Sequence, residues 1–106
     1  MKIGVIISSN DPETVWNAFR FCNHALGKGD EVQTFLIGKG VEAGSLDNSH
    51  FPVKEQMRTF LDKGGQILAC GGCLKLRNQE GGELCPVSTM ADLHEIVRAS
   101  DKVVSF

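Results

Sequence analysis

The sequence predicts an α/β fold, a three-layer α/β/α sandwich built on a mostly parallel sheet of about five strands. Three observations carry this. Short apolar runs rich in Val and Ile alternate with stretches of helical periodicity. Helix start signals and glycine stops fall between them. The length, 106 residues, suffices for one layered core and not for two, so a single domain over 1–106 is expected. Right-handed crossovers then place helices on both faces of the sheet.

Lys2 to Ser8 reads as the first strand. Asp11 is placed to cap a helix whose first position is Pro12, where a missing N–H costs nothing. That helix runs to about Leu26, with Val15, Phe19, Cys22 and Leu26 recurring on its buried stripe and Asn17, Arg20 and His24 falling elsewhere. Cys22 is therefore expected in the core. Gly27-Lys28-Gly29 stops the helix, and Glu31 to Ile37 reads as the second strand.

Gly38-Lys39-Gly40 lacks the spacing and the following Ser or Thr of a phosphate loop and is read as a flexible turn. From Val41 to His50 the composition turns polar with no sustained period, so this is expected to be the least ordered part of the chain. Past Pro52, the residues Val53, Met57, Phe60 and Leu61 give a second helix an apolar face, and Gly64-Gly65 ends it. The third strand follows from Gln66 and runs straight into Cys70-Gly71-Gly72-Cys73, after which a short helix reaches Arg77. Residues 78–82 read as a loop and 83–87 as at most a weak strand. Thr89 caps a last helix with Asp92 in its first turn and Leu93, Ile96 and Val97 on its inner face, and Lys102 to Phe106 makes one more strand.

In such a sheet the loops after the first three strands emerge at one edge, where open α/β folds bind ligands. That edge gathers Ser9 and Asn10, Gly38, and the Cys70 to Cys73 segment. A thiol at a strand end and a helix start meets unpaired backbone N–H groups, which favour the thiolate. Gly71 and Gly72 allow a sharp turn and are expected to leave the sulfurs uncovered.

Composition narrows the function. Apolar content of 42% and charged content of 23% are those of an ordinary globular protein, with no disorder signature. A net charge of −2 without a basic stripe argues against direct nucleic-acid binding. The opening apolar run is too short to span a bilayer and lacks a cleavage pattern, so no membrane partner and a cytoplasmic location are expected. In that compartment four cysteines point to reactive, metal-binding or buried thiols rather than a disulfide framework.

Three chemistries suit Cys70 and Cys73. Cys70 could accept sulfane sulfur as a persulfide and pass it on by sulfur-to-sulfur displacement, with Cys73 one helical turn later as an assisting or resolving thiol. The pair could be a dithiol redox site, although thioredoxin-like sites come earlier in their fold and carry bulkier intervening residues. Or Cys70, Cys73 and Cys85 with His94 or His50 could bind zinc, although one C-x-x-C is half of such a motif. Cys85 is alternatively a second resolving thiol, and Arg77 a group that holds a thiolate or an anionic partner. The three histidines are scattered and read as structural or exposed. No cofactor is implied.

The order of elements, the segment Ala69-Cys70-Gly71-Gly72-Cys73-Leu74-Lys75-Leu76-Arg77, and the ending from Ser88-Thr89-Met90-Ala91-Asp92-Leu93 to Asp101-Lys102-Val103-Val104-Ser105-Phe106 resemble the DsrE/DsrF-like sulfur-relay family over essentially the whole chain. The resemblance implies a small protein with a parallel sheet that carries persulfide sulfur on a cysteine at the end of an internal strand, in sulfur oxidation or tRNA thiolation. Cys70 matches that position by its spacing to Arg77. Asn78 stands where many members have glycine, and Cys73 is an addition relative to single-cysteine members. The resemblance further implies sulfur donor and acceptor proteins as partners, and homotrimers or homohexamers. A fold does not fix function, so a non-enzymatic oligomeric binding protein is the alternative reading.

Overall fold

A computed structural model describes residues 1–79, 81–82 and 85–106. Five parallel strands, β1 (Lys2–Ile7), β2 (Glu31–Leu36), β3 (Gln66–Cys70), β4 (Val87–Ser88) and β5 (Lys102–Ser105), lie in the order β4-β3-β2-β1-β5. Four α-helices, α1 (Pro12–Gly27), α2 (Val53–Asp62), α3 (Gly71–Leu76) and α4 (Met90–Ala99), connect them together with a 3-10 helix over Gly38–Ser45. The expected three-layer α/β/α sandwich is present, and its sheet is wholly parallel.

The first crossovers step the chain one way across the sheet, and α4 carries it back past β1 to β5. Helices therefore cover opposite faces. On one, Val15, Ala18, Phe19 and Cys22 of α1 and Val53, Met57 and Phe60 of α2 are fully buried with Val5, Ile7, Thr34, Leu36 and Ala69 of the strands. The Phe19 and Phe60 rings meet edge-on at 5.8 Å between centroids. Each such aromatic removed from water contributes about 1.5–3 kcal/mol, which is what fixes α1 against α2. On the other face α4 lies over β1 so closely that a Cβ at Gly4 would come within 2.8 Å of Ile96.

Local signals set the helix ends. Asp11 accepts from the Thr14 N–H at 2.9 Å, with Pro12 following it, as the sequence indicates. Thr89 and Asp92 form a reciprocal capping box at the start of α4. Val97, read as an inner residue, is instead 44% exposed, because Ile96 and Leu93 are the residues α4 packs on the core and Val97 falls on its flank.

The stretch expected to be least ordered is partly regular. Residues 38–45 form the 3-10 helix, which buries Gly40, Val41 and Ala43. A Cβ on Gly40 would sit 2.0 Å from the Ile7 carbonyl oxygen, so only glycine lets this helix cross the end of β1. The weak strand expected over 83–87 is displaced toward the carboxyl end: β4 is Val87–Ser88 and shares only Val87 with it, Cys85 and Pro86 are not in a strand, and Glu83 and Leu84, like Glu80 of the preceding loop, lie outside the described residues.

Candidate functional site

At the carboxyl end of the sheet, β3 ends on Cys70, which is also the residue preceding the first turn of α3. The Cys70 position pairs with Ser88 of β4, and Gly71 lies against Val87, so the neighbouring strand closes over the turn. Cys70 is consequently only 5% exposed, and the glycine pair does not leave it uncovered. Gly72 faces open space, and Cys73 is half-buried.

The electrostatics of Cys70 are a contest. Burial pushes its thiol up, but the backbone N–H of Cys73, the Cys73 thiol and the backbone N–H of Gly72 together outweigh burial and hold it below the usual cysteine value. The other shifted thiols go the opposite way: burial pushes Cys22 up to about 12 and Cys85 up to about 11.

The segment after β2 meets α3 directly, and the loop after β1 reaches it through Glu42. The Gly38 N–H, from the segment after β2, donates to Cys73 Sγ at 3.2 Å. Arg77 Nε donates to Glu42 Oε2 of the 3-10 helix at 2.8 Å, and its Nη1 donates to the Cys73 carbonyl oxygen at 3.2 Å. Asn10, from the loop after β1, donates through Nδ2 to Glu42 Oε1 at 3.4 Å. Arg77 thus touches the backbone of the cysteine turn and a carboxylate, rather than a thiolate. Those bonds from Arg77 and Asn10 hold the Glu42 carboxyl below its usual value.

Backbone donors join Arg77 in capping the carboxyl end of α3. The Asn78 N–H donates to the Lys75 carbonyl at 3.1 Å and the Gln79 N–H to that of Leu74 at 2.9 Å, a Schellman pattern. It requires a left-handed residue, and Asn78 supplies it with φ 52°. Asparagine tolerates this conformation because its short polar side chain can bond locally.

Of the residues singled out from sequence, Asn10, Gly38, Gly71, Gly72, Cys70, Cys73 and Arg77 come together. Ser9 does not join them; its hydroxyl accepts from the Asp11 N–H at the start of α1. Cys85 lines an adjacent cleft of about 310 Å³ with Val41, Glu42, Ser45, Leu74, Gln79 and Gly82. A larger cleft, of about 450 Å³, lies around Ile3, Glu31 and Gln66 at the other end of the strands, away from the thiols. Among the described residues no group of three or more His, Cys, Asp or Glu is placed to hold a metal ion, so the zinc reading gains no donor set. Among them, too, no helix is long and apolar enough to cross a membrane. Glu42 escaped the sequence reading; its partners Arg77 and Asn10 are 35 and 32 positions away, and the one local hint is an acidic residue between two buried apolar ones, Val41 and Ala43.

These features define a class, small parallel α/β proteins with a thiol set at the end of an inner strand. A model of the DsrE/DsrF-like family matches residues 1–106, and the chain belongs to that family. It is 32% identical over 114 residues to "Uncharacterized protein MJ0989" of Methanocaldococcus jannaschii, covering 100% of both chains. It is 36% identical over 103 residues to "Uncharacterized protein MK0008" of Methanopyrus kandleri, covering 89% of this chain and 83% of that one. In fold it is similar to the ychN protein of E. coli, with TM-score 0.84 at 17% identity over 100% of both chains. It is also similar to BT1422 of Bacteroides thetaiotaomicron, with TM-score 0.79 at 19% identity over 99% and 94% of the two chains.

Proposed function

We propose that this protein is a cytoplasmic sulfur-relay protein that carries persulfide sulfur on Cys70, with Cys73 as assisting or resolving thiol. The observation that carries the reading is the Cys70 sulfur at the end of β3, held below its usual pKa by the Gly72 and Cys73 N–H groups and the Cys73 thiol despite burial. A thiolate is the nucleophile the chemistry needs. It attacks the outer sulfur of a donor persulfide, R–S–SH, forming Cys70–S–SH and releasing the donor thiolate. If Cys73 then attacks the inner sulfur, a Cys70–Cys73 disulfide forms and hydrogen sulfide leaves; if an acceptor thiolate attacks the outer sulfur, the sulfur moves on and Cys70 is regenerated. Cys85, whose thiol is pushed up to about 11, is the poorer resolving group at neutral pH.

Donor and acceptor proteins are the partners this chemistry calls for, and assembly into homotrimers or homohexamers goes with it. Exposed apolar residues support self-association: Val87, Met90, Val97 and Val103 leave apolar surface around α4 and the strands at both sheet edges.

The test is the intact mass after incubation with a sulfane-sulfur donor, for wild type, Cys70→Ser and Cys73→Ser. The expected result is gain of one reductant-labile sulfur in wild type and in Cys73→Ser, and none in Cys70→Ser. The contact between the Cys73 thiol and Cys70 favours a second reading, dithiol redox. Loss of two hydrogens without sulfur gain, dependent on both cysteines, would select it.

A further inference from the structure

A helix of six residues has barely one closed turn, and nucleating that turn is unfavourable without outside support. Support for α3 comes from the 3-10 helix at two polar points. At the first, the Gly38 N–H holds Cys73 Sγ; at the second, Glu42 holds Arg77, whose other donor holds the Cys73 carbonyl. Glu42 also accepts from Asn10, so one carboxylate joins the loop after β1, the segment after β2 and the helix after β3.

We infer that Glu42 is a positioning residue for the cysteine pair: by fixing the Arg77 guanidinium it holds the Cys73 carbonyl, and with it the first turn of α3, against the end of β3. The proposal takes its purpose from the sulfur-carrier reading, while its geometry stands apart from it.

The chemistry of the guanidinium explains why this needs arginine. Its planar fork presents Nε and Nη1 in fixed directions, one to the carboxylate and one to the peptide oxygen, whereas an ammonium is a single point donor. The groups that lower the Cys70 pKa are the Cys73 and Gly72 N–H donors and the Cys73 thiol. Arg77 is not one of them, so it acts on Cys70 through the geometry of the turn. The pair is also partly solvated, with side chains 27% and 29% exposed, so it contributes little to global stability. Its effect is local, which separates positioning from mere structural support. Lys39 is the other charged side chain that bears on Glu42, and it too favours the ionised form. Glu42 therefore stays ionised through the range in which Cys70 titrates.

The experiment measures the rate of Cys70 alkylation by iodoacetamide against pH, located by peptide mass spectrometry, with thermal unfolding recorded alongside. The variants are Glu42→Gln, Arg77→Met, Arg77→Lys and the double exchange Glu42→Arg with Arg77→Glu. In Glu42→Gln and Arg77→Met the pH–rate profile is expected to move up, slowing Cys70 at neutral pH by roughly three- to tenfold, with little change in unfolding temperature. The exchange restores an ion pair but leaves position 77 without a donor for the Cys73 carbonyl. Its unfolding temperature is expected to be that of wild type and its profile that of the single variants. An unshifted profile in both single variants, or a profile restored by the exchange, overturns the proposal. Should those variants fail to fold, Arg77→Lys decides: it keeps the pair with Glu42 and loses one of two directed donors, so an unshifted profile there also overturns it. Because no sulfur donor enters this assay, a shifted profile in a protein that gains no sulfur would sink the carrier reading and leave the positioning role standing.

Discussion

Cys22 and Cys70 are both buried, at 0% and 5% exposure, yet their surroundings drive them apart. Cys22 lies on the inner stripe of α1, where its own backbone neighbours are already committed to the helix and what surrounds the sulfur is apolar packing. Desolvation then dominates and the thiol is pushed up to about 12. Cys70 lies where a strand gives way to a helix, and the N–H groups at a helix start have no partner within the helix. Those donors turn toward the sulfur and reverse the sign of the shift. Burial alone therefore does not fix the sign of a cysteine's pKa shift; the backbone donors at the junction outweigh it.

The largest expected consequence is in reactivity. At pH 7.5 iodoacetamide should modify Cys70 in the native protein at least about tenfold faster than Cys22, since the thiolate is the reacting species and Cys22 has almost none, the stronger intrinsic nucleophilicity of a high-pKa thiolate offsetting part of the difference. Cys85, pushed up to about 11, should also lag far behind Cys70. Time-resolved peptide mapping reads the order directly. Labelling of Cys22 at a rate comparable with Cys70 would break the contrast.

A second consequence is in stability at high pH, and here the two sites have opposite signs. A thiol raised in the folded state stays protonated while its unfolded counterpart ionises, so its contribution is complete below the ordinary value of 9.0 and is lost as pH rises toward about 12. For Cys22 that loss is about 1.4 kcal/mol per pH unit, roughly 4 kcal/mol across the window. Cys70, lowered in the folded state, gains stability as pH rises from its depressed value toward 9.0. Denaturant unfolding of wild type and Cys22→Ala from pH 7 to 11 checks this. The variant should be less stable near neutrality because it leaves a small cavity, and its alkaline slope should be shallower. Parallel slopes would mean that Cys22 does not carry the effect.

The same contrast sets what could be read from sequence. Val15, Phe19 and Cys22 recur at helical spacing, and Asp11-Pro12 announces the helix start, so α1 and its buried thiol follow from local pattern. Cys70 and Cys73 were also legible, because an apolar run that stops on a cysteine and two glycines marks a strand end. Their surroundings were less so. The 3-10 helix over residues 38–45 hid because its glycines read as a turn and its three-residue period matches neither template. Glu42 hid because its role exists only once Arg77 and Asn10, far away in sequence, are brought to it. The near-closure of Cys70 depends on a two-residue strand whose pairing with β3 no local pattern specifies. Val97 departs from its expected inner position because periodicity identifies an apolar stripe without saying how wide its cover will be.

The smallest effect concerns the far end of α3, where the strand-end site meets ordinary helix capping. Asn78 is the described non-glycine residue with positive φ, at 52°, and it lets the Asn78 and Gln79 N–H groups reach back to Lys75 and Leu74. Left-handed backbone costs a residue with a Cβ about 1–2 kcal/mol, less for asparagine, whose short polar side chain bonds locally, and nothing for glycine. Asn78→Gly should therefore keep the turn and change stability by no more than about 0.5 kcal/mol, the strain relieved being offset by added freedom in the unfolded chain. Asn78→Val should cost about 1 kcal/mol or more, because a β-branched side chain fits this conformation worst. Denaturant midpoints would order the variants. Since the same cap ends the helix that begins at the thiols, Asn78→Val should also slow Cys70 alkylation slightly while Asn78→Gly leaves it unchanged. A valine variant as stable and as reactive as wild type would mean that the first turn of α3 is held without its last, and would place the whole burden of positioning on Glu42 and Arg77.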